Sequence, residues 1–173
     1  MIKKWTFLCV IGISIAFSVV ADEPSCQQGF QSDLYRFAND GTVTDLKTGL
    51  TWQRCLLGQT YSNAGTPEDY QDDQCHGQPL ELDWYHALQQ VDVLQNARLP
   101  APEELFSLLE RTCGNQVVNR SLFPGTLEKG MLLSSEIMHP AKDELPVYYV
   151  GVNLAGVQYM VRSKTSAYLR LIR

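Results

Sequence analysis

Histidine is scarce in this sequence, and cysteine never occurs as a Cys-x-x-Cys pair. The three histidines, His76, His86 and His139, stand far apart with no His-x-x-x-His or comparable spacing, so no metal site is expected. The cysteine spacings make a structural zinc site a weak reading. Ser134-Ser135 lies outside any Gly-x-Ser-x-Gly elbow, which removes the commonest serine-nucleophile signature. Glu-Pro-Asn and Gln-Pro-Asp, the calcium-ligating triplets of lectins, are missing; Gln78-Pro79-Leu80 comes nearest and lacks the third oxygen. Together these gaps predict no catalytic residue, no cofactor and no metal.

Long apolar runs are also few. Trp5 to Val20 is one, sixteen residues that follow Lys3 and Lys4 and precede Ala21-Asp22. A membrane-spanning helix needs roughly 20 apolar residues. The pattern instead predicts a secretory signal peptide over residues 1–21, with no integral membrane span once it is removed; an uncleaved N-terminal anchor is the alternative. Its loss leaves 12 basic against 19 acidic side chains, a net charge of −7. Bulk charge of that sign argues against nucleic acid or another polyanion as partner. A basic cluster at Arg162, Lys164, Arg170 and Arg173 is read as solvated strand edges and ion pairs.

Four cysteines follow the leader, an even number that predicts two disulfides in an oxidising compartment. Three pairings are possible. The expected one joins Cys55 to Cys75 across a polar loop and Cys26 to Cys113, tying down the 22–33 lead-in. Closing a loop of about 20 residues contributes roughly 3 kcal/mol on the chain-entropy model.

Residues 35–55 read as a β-meander, with turns at Asp40-Gly41 and around Gly49 and with Asp45 serving the second turn. Trp52 is expected in the core. Residues 58–78 carry the composition of a long irregular loop, with Glu68, Asp69, Asp72 and Asp73 as an acidic cluster. Calcium is a possible ligand for that cluster, although the spacing is not that of an EF-hand, and a solvated charge cluster is favoured. Asp83 is an N-cap candidate, followed by an apolar stripe of Trp84, Ala87, Leu88, Val91 and Leu94 over 83–96. After Pro100, Pro102 opens a second helix, with Leu105, Leu108 and Leu109 on its buried face and Gly114 as its stop. Strands are expected at 131–135, 147–153, 157–162 and 168–173, with Leu122 and Phe123 buried in the loop between. The order strands, two helices, strands predicts an α+β domain over 34–173, two short helices packed on antiparallel hairpins and stapled by disulfides.

Six motifs in this order resemble the Lcl C-terminal domain family, named for the last domain of a Legionella collagen-like adhesin. They are DGTVTDLKTGLTWQRC at 40–55, WYHAL at 84–88, RLPAPEEL at 98–105, NRSLFPGT at 119–126, LSSE at 133–136 and YLRLIR at 168–173. The sequence departs from the family pattern at Ala97 and Leu133, where tryptophan is usual, and at Ala101, where a capping Thr or Asn is usual. The resemblance implies a C-type-lectin-like fold and export to the periplasm or surface of a Gram-negative bacterium. It also marks Asp40, Gly41, Asp45, Gly49, Trp52, Arg98, Pro100, Glu104, Phe123, Pro124 and Arg170 as structural positions, with Arg98 and Glu104 expected in an internal ion pair or in hydrogen bonds to backbone carbonyls. The adhesin's sulfated glycosaminoglycan ligand is not expected of this net acidic chain.

The function expected is that of an exported, non-enzymatic binding module for an envelope protein or a glycan. Its contacts are expected on the 58–78 loop through Tyr61, Tyr70, Asp72 and Asp73, and on the 137–146 loop. Two alternatives stand beside it. One is an envelope enzyme related to formylglycine-generating enzymes, although Cys113 as the last cysteine omits the copper-binding cysteines such enzymes carry near their C-terminus. The other is a pilus or fibre component, for which homo-oligomers are possible.

Overall fold

The computed structural model describes residues 32–63, 70–112, 115–127, 130–137, 146–152, 157–161 and 165–173. The leader, Cys26, Cys113, Gly114, Glu68, Asp69, His139 and most of the 137–146 loop lie outside the described residues. The described part mixes helix and strand, with mainly antiparallel pairing and a disulfide.

The meander forms as its turns dictate. β1 (Tyr35–Ala38), β2 (Thr42–Asp45) and β3 (Thr51–Gln53) pair in sequence order, Tyr35 opposite Asp45 and Val43 opposite Trp52. Gly41 takes φ 79° at the first turn, a conformation costly for any residue with a Cβ. Asp40 fixes that turn by accepting from the Thr42 backbone N–H at 3.1 Å and its hydroxyl at 2.7 Å. Asp45 does the same for the second turn, accepting from the Lys47 N–H and the Thr48 hydroxyl.

The polar loop that follows is more ordered than its composition suggests. β4 (Thr60–Ser62) pairs with β5 (Gln74–His76), placing Tyr61 opposite Cys75. Cys55 and Cys75 are bonded, with their Cα atoms 5.6 Å apart. The expectation of irregular backbone across 58–78 is therefore corrected. The cross-link holds the two arms together, and a three-residue ladder satisfies backbone groups that turn-forming side chains alone would have left to water.

β6 (Glu81–Leu82) leads into α1 (Trp84–Val93), capped by Asp83, whose carboxylate accepts from the His86 N–H at 3.0 Å. α2 (Pro102–Ser107) starts at a proline, and Glu104 reaches back to the Ala101 N–H at 2.7 Å. That is half of a capping box, since Ala101 has no side-chain oxygen to return the bond. α2 stops earlier than Gly114 predicts. Leu109–Thr112 is instead β7, paired with β8 (Asn115–Val118) as a hairpin. The Leu105/Leu108/Leu109 stripe fits a short helix followed by a strand equally well, and short apolar stretches do not distinguish the two.

The largest sheet has five strands in the order β11 (Val157–Val161), β10 (Pro146–Val152), β9 (Gly130–Ile137), β12 (Ala167–Tyr168) and β6. Its pairings are antiparallel except β12 against β9, which is parallel at Tyr168 and Leu132. The last segment is not the continuous strand expected over 168–173. After Tyr168 it threads between sheets, where Ile172 bridges both Trp52 and Arg98, and Leu169 and Leu171 accept from Leu57 and Gln53. It thus joins the meander to the rest of the domain.

Two apolar clusters fill the interior. One packs Val43, Trp52 and Leu56 with Leu105, Leu122, Phe123 and Ile172. The other packs Ala87 and Leu99 with Leu133, Leu169 and Leu171. Trp52 is a core residue, as expected.

Candidate functional site

Two arginines of the motifs, Arg54 and Arg170, turn inward. Arg54 follows Trp52 by two residues, and strand alternation sends both into the interior. The Arg54 Nε donates to the Leu122 carbonyl at 2.9 Å, and Nη2 donates to the Tyr70 and Ser121 carbonyls at 2.8 and 3.0 Å. Nη1 pairs with the Asp73 carboxylate, and the two side chains are 0% and 3% exposed. The rings of Phe37 and Tyr61 lie 5.0 and 5.8 Å from the guanidinium carbon. Tyr70 stacks on Phe37 with ring centroids 3.6 Å apart. Burial pushes the Tyr61 phenol up, and the neighbouring Asp73 carboxylate pushes the same way.

Arg170 is the second inward charge. Its Nη1 donates to the Gln53 and Arg54 carbonyls at 3.0 and 2.7 Å, its Nη2 donates to the Thr126 hydroxyl at 2.9 Å, and it lies over the Phe123 ring. Burial pushes it down to about 9, which still leaves it protonated at neutral pH. The sequence reading of Arg170 as part of a solvated basic edge is corrected: its guanidinium is wholly buried. Arg173, three residues on, does face water.

Arg98 and Glu104 form the expected pair, bidentate at 2.7 and 2.6 Å. The hydrogen bonds from Arg98 hold the Glu104 carboxyl below its ordinary value, and Glu104 in turn raises Arg98. This pair clips the Pro100 link to the start of α2, a structural task that occupies both groups.

Of the four contact residues expected on the loop, Asp73 is therefore sealed inside and Tyr70 is half-buried against Phe37. Tyr61 is half-buried beneath Gly41, so close that a Cβ on Gly41 would meet its ring at 2.6 Å. Asp72 is also half-buried. No group of three or more His, Cys, Asp or Glu is placed to hold a metal ion among the described residues.

A cleft of about 250 Å³ opens between the first meander turn and the base of the stapled hairpin. Asp40, Thr42, Gln53, Leu57 to Gln59, Leu94 and Arg173 are among the residues that line it. Arg173 donates to Asp40 at 2.9 Å, and both side chains are about half exposed, at 45% and 55%. The Thr42 hydrogen bonds above all, and Arg173 to a lesser degree, hold the Asp40 carboxyl below its ordinary range. From the sequence Asp40 is assigned to a turn and Arg173 to a solvated basic edge with an ion pair, while Gln53 is passed over. The register of β2 on β3 and the return of the last segment bring them together, and neither is written in a local motif.

The sequence model of the Lcl C-terminal domain matches residues 41–173. The chain belongs to the Lcl C-terminal domain family. The matched span contains Arg54 with Asp73, Arg98 with Glu104, and Arg170, so the family's region coincides with the buried polar framework described above. No curated protein and no solved structure matches the chain. No helix among the described residues is long and apolar enough to cross a membrane.

Proposed function

We propose that this Lcl C-terminal domain is an exported binding module of the bacterial envelope, recognising a protein or glycan ligand and performing no chemistry. On this reading residues 1–21 direct export, and the domain adopts a C-type-lectin-like arrangement at the periplasm or cell surface. The Cys55–Cys75 bond supports an oxidising compartment. The adhesin for which the family is named supports an attachment role.

One observation carries the reading. The charges that a catalytic centre would draw on are consumed in internal bonds, Arg54 with Asp73 and Arg98 with Glu104, while a cleft lined by polar and apolar residues stays open elsewhere on the domain. Small-molecule sites are commonly such concave, largely pre-formed places on a rigid scaffold. The test is capture from envelope extract on immobilised processed chain, together with a screen on a glycan array. Specific retention of a protein or glycan is expected, and failure of both would refute the reading. Free-thiol titration separates it from thiol chemistry: four oxidised cysteines are expected after processing, and a reactive thiol would favour an enzyme.

A further inference from the structure

We propose that the cleft between the 40–42 turn and the stapled hairpin binds one uncharged sugar unit, its hydroxyls held by Asp40, Gln53 and Arg173 and its C–H face by Leu57 and Leu94. This rests on the binding-module reading and gives its ligand a chemical class.

Size comes first. Pockets for drug-sized ligands run from roughly 300 to 1,000 Å³. A cleft of about 250 Å³ is too small for a folded partner or a peptide with several anchored side chains, and it suits a single compact unit.

Charge comes second. The two charged groups lining the cleft are Asp40 and Arg173, 2.9 Å apart, and they cancel. A sulfate or carboxylate approaching Arg173 would meet the Asp40 carboxylate beside it. A cation approaching Asp40 would meet the guanidinium. An uncharged ligand incurs neither penalty.

Hydrogen-bonding character narrows the class further. A carboxylate only accepts, a guanidinium only donates, and a carboxamide does both. Lining one cleft, these groups suit a ligand whose neighbouring groups each donate and accept, which is the property of a polyol. Asp40 is pre-organised for this by the Thr42 N–H and hydroxyl, so its geometry needs little adjustment on binding. The Gln53 side chain has no hydrogen-bond partner among the described residues, and its amide is free to meet a ligand. Leu57 and the exposed edge of Leu94 supply the apolar patch that the C–H face of a pyranose requires.

The test is an NMR titration of ¹⁵N-labelled, processed full-length chain. The probes are the methyl glycosides of glucose, galactose, mannose and N-acetylglucosamine, and oligosaccharides of the same sugars. Glucuronate and glucosamine serve as charged comparators. At least one neutral sugar is expected to shift the amides of Gly41, Thr42, Gln53 and Leu57 to Gln59. A stronger response to the oligosaccharide would identify a glycan chain as the source, and an equal response would identify the free sugar. Gln53→Ala should weaken binding roughly 3- to 10-fold and Arg173→Ala roughly tenfold or more. Gln53→Ala removes no turn contact, so its melting temperature should match the parent. The assignment is overturned by tighter binding of either charged comparator, by shifts centred elsewhere, by indifference to both variants, or by no response to any probe. An envelope protein captured equally by parent and Gln53→Ala would overturn the sugar assignment and leave the binding-module reading intact. Absence of any captured partner, glycan or protein, would end both.

Discussion

Arg54 and Asp73, 19 residues apart in sequence, form an ion pair sealed from water two residues before the half-cystine Cys75. The pair fixes the stapled hairpin to the meander, and Arg54 alone also binds the carbonyls of Leu122, Tyr70 and Ser121. Removing one partner of a buried pair costs about 3–5 kcal/mol, because the other charge is left uncompensated. Asp73→Ala should therefore lower unfolding stability by about that much in urea titrations. Arg54→Met should cost more, since it also strands the buried Leu122 carbonyl, at about 1–3 kcal/mol, and the part-buried carbonyls of Tyr70 and Ser121. The reverse order would refute the assignment of Arg54 as the hub.

Breaking the staple should act on the same hinge. The double substitution Cys55→Ser with Cys75→Ser is expected to cost roughly 3 kcal/mol on the chain-entropy model. It should also loosen the Phe37–Tyr70 stack and raise hydrogen exchange in β4 and β5. Unchanged protection across 60–62 and 74–76 would show that the ion pair holds the hairpin unaided.

Gly125 lies against the cystine. A Cβ there would approach the Gln59 Oε1 to 2.3 Å and the Cys75 Sγ to 2.9 Å, and the latter cannot swing away. Gly125→Ala should destabilise by about 1–3 kcal/mol, the usual range for overpacking. Gly49 is a different case, since nothing lies within 4 Å of the added atom and only its φ of 74° opposes it. Gly49→Asn should be milder than Gly49→Ala, because asparagine tolerates the left-handed region. Thermal melts of the three variants check both statements.

Acid should release the clip at α2. The folded state holds the Glu104 carboxyl below its ordinary value of 4.5, so the unfolded chain binds the proton more tightly. The stabilisation is present above about pH 4.5 and is lost as pH falls through the lowered folded value. Urea midpoints measured from pH 7 to pH 2 should fall less steeply for Glu104→Gln than for the parent below pH 4.5. Parallel curves would mean that the pair with Arg98 contributes nothing to the acid response. His86 lies 2.7 Å from the Asp83 carboxylate on the exposed start of α1, and the cap is held chiefly by the bond from the His86 N–H.

The parts of the fold that were legible in the sequence are those set by neighbouring residues. Asp40-Gly41 and Gly49 specified their turns, Asp83 its cap, Pro102 the start of α2, and Arg98 with Glu104 their own contact. The parts that were not legible depend on residues far apart in the chain. The hairpin inside the 58–78 loop is held by Cys75 and by Arg54, so its own Gly, Asn and Asp content reads as irregular. Leu109 to Thr112 leave the helical pattern because β8 pairs with them, a contact beyond any local window. Arg170 reads as a solvated edge charge and Arg54 carries no assignment until the carbonyls they serve are brought to them by folding. A lone arginine next to a buried tryptophan and a half-cystine was the available signal for Arg54. The cleft was hidden for the same reason, since Gln53 and Arg173 meet only when the last segment returns between the sheets.

The central claim is that the buried charges build the scaffold and the open cleft does the recognising. The most direct test compares processed parent chain with the Gln53→Ala/Arg173→Ala double variant on one array of neutral, sulfated and sialylated glycans, with melting temperatures taken alongside. The account predicts parent signals on uncharged glycans, their loss in the variant, and melting temperatures that agree. Parent signals confined to charged glycans, or signals the variant keeps unchanged, would contradict it.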